Sequence, residues 1–122
     1  MAKSNPALVI VLIAYAAASL FHHAHNAEFL DQYPDMPAWL SRMWVYAAWL
    51  GMTVIGVGGY ILLRRGYRLA GAGLMIAYGC YGLDALAHYA LAPISAHSAA
   101  MNLTIWLEAA TALALLAVVA RQ

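Results

Sequence analysis

Four stretches of this chain, Pro6 to His25, Met43 to Leu63, Leu69 to Leu91 and Ala99 to Ala120, are almost uncharged. Each is close to the ~20 residues that a helix needs to cross a bilayer. In lipid the backbone has to satisfy its own hydrogen bonds, so such segments are helices. The fold expected is all-α: an integral membrane four-helix bundle, up-down-up-down, forming a single transmembrane domain over residues 1–122. Composition agrees, since 66% of residues are hydrophobic and 9% are charged, against about 25% charged in soluble domains. Nothing remains for a soluble catalytic module. The net charge is +1, and the chain lacks the basic run that would suit a nucleic acid.

The segment ends carry their own signals. Asn5 and Pro6 suit the start of the first helix, because proline tolerates a first turn whose N–H has no helical partner. Small residues in AYAAAS look like a signal-peptide cleavage site, but the run is read as a retained first span. Ser41 and Ser98 are in place to cap the second and fourth helices. Trp39 and Trp44 read as interfacial anchors. Lys3, Arg64, Arg65, Arg68 and Arg121 all fall at one end. The positive-inside rule therefore places both termini and the RRGYR loop in the cytoplasm, with the opposite face outward, in a bacterial inner membrane. In the second helix, Ala47-x-x-x-Gly51 and the glycines at 56, 58 and 59 read as surfaces for close helix packing.

Chemistry concentrates at the outward end. FHHAHNAEF, residues 21–29, holds three of the five histidines. At helical spacing His22, His25 and Glu28 span an arc of roughly 120°. Asp84 and His88 are spaced i, i+4 on the third helix, and Glu108 is the one ionisable residue of the fourth. At 1.5 Å per residue, Asp84 and Glu108 lie about 13 Å in, and His22 and His88 roughly 5 to 8 Å in. Two carboxylates at that depth cost several kcal/mol unless a cation, a shared proton or strong hydrogen bonds offset them. The chain's own cations do not reach, because every lysine and arginine except Arg42 is at the far end.

The expectation is a metal site near the outer, periplasmic face formed by His22, His25, Asp84, His88 and Glu108, with Glu28 and His97 as further candidates, serving either redox-type chemistry or periplasmic metal handling. Imidazole with carboxylate suits Zn, Fe, Mn or Cu, and the lack of thiolates argues against soft-metal chemistry. Tyr81, Asn26, Asn102 and Thr104 would orient the ligands through hydrogen bonds. His23, about 100° from His22, is expected to turn away toward headgroups or the loop. Cys80 is alone, so no internal disulfide forms.

Two other readings stay open. One is a haem b protein with His22 and His88 as axial ligands and Gly79 and Gly82 making room. The other is a non-catalytic accessory subunit of a larger membrane complex, whose polar stripe docks a partner or gates protons. Partners are then the lipid bilayer and a homo-oligomer or larger assembly, with no nucleic acid. Asp84-x-x-x-His88 followed by His97 resembles, over 14 residues, the aspartate-histidine-histidine copper site in a membrane subunit of the particulate methane monooxygenases. No function is carried over from that resemblance.

Overall fold

The structure is a computed structural model that describes residues 5–122, which leaves Lys3 of the charge argument outside the described residues. Four long helices make the architecture: α1 (Pro6–Glu28), α2 (Arg42–Arg64), α3 (Arg68–Leu91) and α4 (Ala99–Val119). Each is long and apolar enough to cross a membrane. Short 3-10 turns at Leu30–Gln32 and Ile94–Ala96 punctuate the first and third loops.

The helix starts form where local chemistry allows. The Asn5 side chain accepts from Ala7 N at 3.0 Å, and Pro6 occupies the first turn. Ser41 accepts from Trp44 N at 3.3 Å and Ser98 from Met101 N at 3.2 Å. Each cap satisfies an N–H that the helix itself leaves orphaned. Gly66 ends the turn after α2 with φ +91°, a conformation that costs glycine little.

Asn5, Arg64, Arg68 and Gln122 surround one pocket, while His22, Met36, Trp44 and His88 surround another. Successive helices therefore run in alternate directions, with one arginine-bearing end and one histidine-bearing end. Large apolar side chains such as Ile10, Leu50, Val54 and Leu113 point outward, as lipid requires. The interior holds Tyr15, Met75, Tyr78, Ala112 and Leu115. Tyr15 and Tyr78 pack with ring centroids 4.5 Å apart, and the Tyr15 hydroxyl donates to the Tyr78 carbonyl at 2.9 Å.

Glycine sets how closely the helices meet, though not at every expected position. A Cβ on Gly82 would lie 2.6 Å from the Tyr15 hydroxyl, and one on Gly71 would lie 2.9 Å from the Gly59 carbonyl. Gly56 similarly leaves room for the Tyr78 ring. Ala47 and Gly51, by contrast, are exposed, and Gly51 has nothing near it. That small-residue pair lies on the outer face and joins no helices.

The third helix departs from expectation where it matters most. It is α-helical to Leu83, 3-10 over Asp84–Ala87, and α-helical again over His88–Leu91. Four residues at 3.0 per turn advance about 120°, instead of the roughly 40° of an α-helix. Asp84 is consequently exposed while His88 is buried, and the i, i+4 face expected for the pair does not form.

Gly82→Val is expected to destabilise the protein by about 1–3 kcal/mol through overpacking against Tyr15. Gly51→Ala is expected to be neutral or stabilising by up to ~1 kcal/mol. Thermal unfolding in detergent checks both, and equal effects would contradict this packing.

Candidate functional site

Glu108 is the centre of the histidine-bearing end. It is 1% exposed, and neither carboxylate oxygen meets a hydrogen-bond donor. Two imidazole nitrogens face it, His22 Nε2 at 3.8 Å from Oε2 and His23 Nδ1 at 3.7 Å from Oε1, and the buried Ser19 hydroxyl lies beside it as well. Both separations exceed hydrogen-bond length. A cavity of about 210 Å³ adjoins the carboxylate, lined on its polar side by His22, His23, Asn26, Tyr81, Asp84 and His88. Loop residues Met36 and Leu40, with Trp44 and Val45 of α2, form its apolar wall.

Hydrogen bonds assign a tautomer to each of the inner histidines. The Thr104 hydroxyl donates to Met101 O at 2.9 Å, so it accepts from His22 Nδ1–H at 3.0 Å. His22 Nε2 then carries a lone pair aimed at a carboxylate, and two acceptors face each other across 3.8 Å. That arrangement calls for a proton or a cation between them. His23 Nδ1–H donates to Ser19 O at 2.8 Å, and its Nε2 accepts from the Tyr81 hydroxyl at 3.1 Å. Both of its nitrogens are thus occupied.

From Glu108 the imidazoles form a row. The rings of His22 and His88 are 5.2 Å apart between centroids, and those of His88 and His97 are 6.1 Å apart. His88 Nε2 accepts from the Asn26 amide at 3.0 Å, leaving Nδ1 buried without a partner. His97 Nδ1–H donates to Pro93 O at 3.0 Å, leaving Nε2 in the same condition. The row therefore connects the third loop to the buried carboxylate, with unused polar atoms along it.

Among the five expected metal ligands, His22, His88 and Glu108 come together around this cavity. Asp84 reaches its rim from the exposed side of α3. His25 is directed elsewhere: its Nδ1 meets the Tyr33 hydroxyl at 2.9 Å, and its ring packs on Phe29. Glu28 accepts from Arg42 and from the Tyr46 hydroxyl, each at 2.8 Å, and lies at the surface. Asn102 serves the third loop, accepting from the Tyr89 hydroxyl at 2.7 Å and donating to Ile94 O and His97 O. Among the described residues, no three His, Cys, Asp or Glu side chains are grouped so as to hold a metal ion.

Sequence reasoning placed two residues poorly. His23 does not turn toward headgroups, because α1 packs on both α2 and α4 and so presents a wider interior arc than a single edge. Tyr33 was not singled out, yet its ring lies 5.0 Å from that of His88 and 6.4 Å from that of His22. Burial pushes its phenol up to about 12, and its hydroxyl shares a 2.9 Å hydrogen bond with His25 Nδ1. Nothing in the surrounding DQYPDMP distinguishes this tyrosine from an exposed loop residue.

The hydrogen-bond pattern predicts that ¹⁵N imidazole NMR of labelled protein finds His22 in the Nδ1–H form. Thr104→Val removes its acceptor and is expected to mix the tautomers, at a cost of about 1–3 kcal/mol for a buried unpaired donor. An Nε2–H signal in the unaltered protein would contradict the assignment.

No protein-family model, curated protein or solved structure significantly matches this chain, so function is argued from the chemistry of the site itself.

Proposed function

We propose that this is an integral membrane protein that relays protons between its histidine-bearing face and Glu108. One observation carries the reading: a row of imidazoles leads from His97 through His88 and His22 to a buried carboxylate that has no donor. The rings are 5.2 and 6.1 Å apart between centroids, and the unpartnered His88 Nδ1 and His97 Nε2 are the atoms along the row that one water would bridge. Ionisable side chains inside a membrane segment mark ion pathways and proton relays far more often than packing. By the positive-inside rule the arginine-bearing end faces the cytoplasm and the histidines face outward, as in a bacterial inner membrane. Asp84, exposed on a spanning helix, is costly against lipid, which favours work within a larger membrane assembly.

A specific observation also favours a divalent metal at the same carboxylate. The 3.8 Å between His22 Nε2 and Glu108 Oε2 is a span that one ion bridges when each ligand sits about 2.0–2.2 Å away. Thr104, fixing the other nitrogen of His22, does what partners of ligating histidines do. Two protein donors leave the remaining positions to water, so Zn, Fe, Mn or Cu would be held exchangeably. Haem b has less support, because the His22 and His88 rings meet edge to face at 5.2 Å with no gap for a macrocycle. The cavity, about 210 Å³, is also below the ~300 Å³ at which small-molecule pockets begin.

Proteoliposomes containing the protein, with anything that copurifies in mild detergent, are expected to pass protons under an imposed potential after metal chelation. Glu108→Gln is expected to cut that flux by about 100-fold, while His25→Ala leaves it unchanged. Undiminished flux in Glu108→Gln would overturn the relay. Stoichiometric Zn²⁺ or Co²⁺ binding lost in both His22→Ala and Glu108→Gln would instead establish the metal reading. Orientation is checked separately with Gln32→Cys on a Cys80→Ser background. Thiol labelling from outside is expected, and labelling from the cytoplasm alone would reverse the topology.

A further inference from the structure

The opposite end of the bundle holds a second cavity, of about 290 Å³ and built differently. Asn5, Tyr60, Arg64, Arg68 and Gln122 supply its polar groups, and Leu8, Leu63, Leu69, Ala72 and Val119 its apolar walls. All four helices contribute, so the pocket belongs to the assembled bundle and not to one loop. It contains two guanidinium groups and no acidic side chain. Among the described residues, neither arginine has a carboxylate within ion-pair distance. Arg64 donates from Nη1 to the Tyr60 hydroxyl at 3.3 Å, which fixes one arm of its fork, while its Nε is buried without an acceptor.

Arginines at this end of a membrane helix are ordinarily explained by topology alone, and Arg65, exposed and outside the cavity, needs nothing more. Arg64 differs. Its side chain is half-buried, and an Nε–H left unmet at a cavity lined by two arginines and no acidic side chain suits an anion from outside the chain. Guanidinium suits phosphate because its planar fork donates in parallel to two oxygens. The apolar walls then decide between kinds of phosphate. Leu69, at 92% exposed, continues the cavity onto the lipid-facing surface, where an acyl chain could lie against it.

We propose that this pocket binds the phosphate of an anionic phospholipid from the leaflet at the arginine-bearing end. Arg64 and Arg68 hold the phosphate, and Tyr60 keeps Arg64 in place. The acyl chains follow Leu69 outward. This site is independent of the reading of Glu108.

The test is native mass spectrometry of the intact protein in a mild detergent, titrated with phosphatidylglycerol, phosphatidylcholine or inorganic phosphate. Phosphatidylglycerol adducts are expected to form at lower concentration than phosphatidylcholine adducts. Arg64→Gln and Arg68→Gln are each expected to weaken them about fivefold, with Arg65→Gln without effect. Arg68 is exposed, so its variant remains informative should Arg64→Gln fold poorly. Equal binding of the two lipids, or loss equally large in Arg65→Gln, would overturn the proposal in favour of general surface charge. Displacement of the lipid by inorganic phosphate at similar concentration would overturn it in favour of a free-anion site.

Discussion

The costliest arrangement in this molecule is the Glu108 carboxyl, fully buried in an apolar helix with no donor to either oxygen. Removing one donor from a buried group costs about 1–3 kcal/mol, and an unpaired charge costs more. The neighbourhood is arranged around that cost. Thr104 fixes one nitrogen of His22 so that the other faces the carboxylate, and Ser19 O with Tyr81 fixes both nitrogens of His23. None of these bonds reaches Glu108 itself. The surrounding groups are therefore organised for one another, and the buried Ser19 hydroxyl beside Glu108 stands without a partner of its own.

The two ends of the bundle solve the problem of buried polarity in opposite ways. At the histidine end, titratable groups that can be neutral line a cavity shared by all four helices and roofed by loop 1. Arg42, the fixed positive charge that opens α2, pairs with Glu28 at the surface at 2.8 Å and is outside the cavity lining. At the other end the fixed charges sit together with no counter-charge. A neutralisable cluster suits an exchanging cation, and a permanent one suits a permanent anion such as a phosphate diester.

The four spans were legible because each rests on a long-range average, hydropathy over about 20 residues, which local irregularity does not disturb. Caps at Asn5, Ser41 and Ser98 were legible because capping is local chemistry. Asp84 shows the limit. Its expected alignment with His88 assumed continuous α-helix, and a single 3-10 turn rotates the two apart by most of a quadrant. No hydropathy signal marks such a turn, because average hydropathy does not register how many residues make one turn. His23 and Tyr33 illustrate a different limit, because the width of the buried face of α1 and the fold of loop 1 are set by neighbours distant in sequence. Glu108, alone in its helix, needed no such knowledge.

What separates the two ends bears on what passes between them. Tyr15, Met75, Tyr78, Ala112 and Leu115 fill the middle of the bundle with close contacts, several of them fully buried. The packed groups there are mostly apolar. They do include polar atoms without partners, namely the Ser19 hydroxyl beside Glu108 and Tyr15, and the Tyr78 hydroxyl beyond. Hydroxyl groups both donate and accept, so reorientation of one side chain or entry of one water extends a hydrogen-bonded path through such a plug. Under the proposed relay, these hydroxyls are where a proton would go on past Glu108.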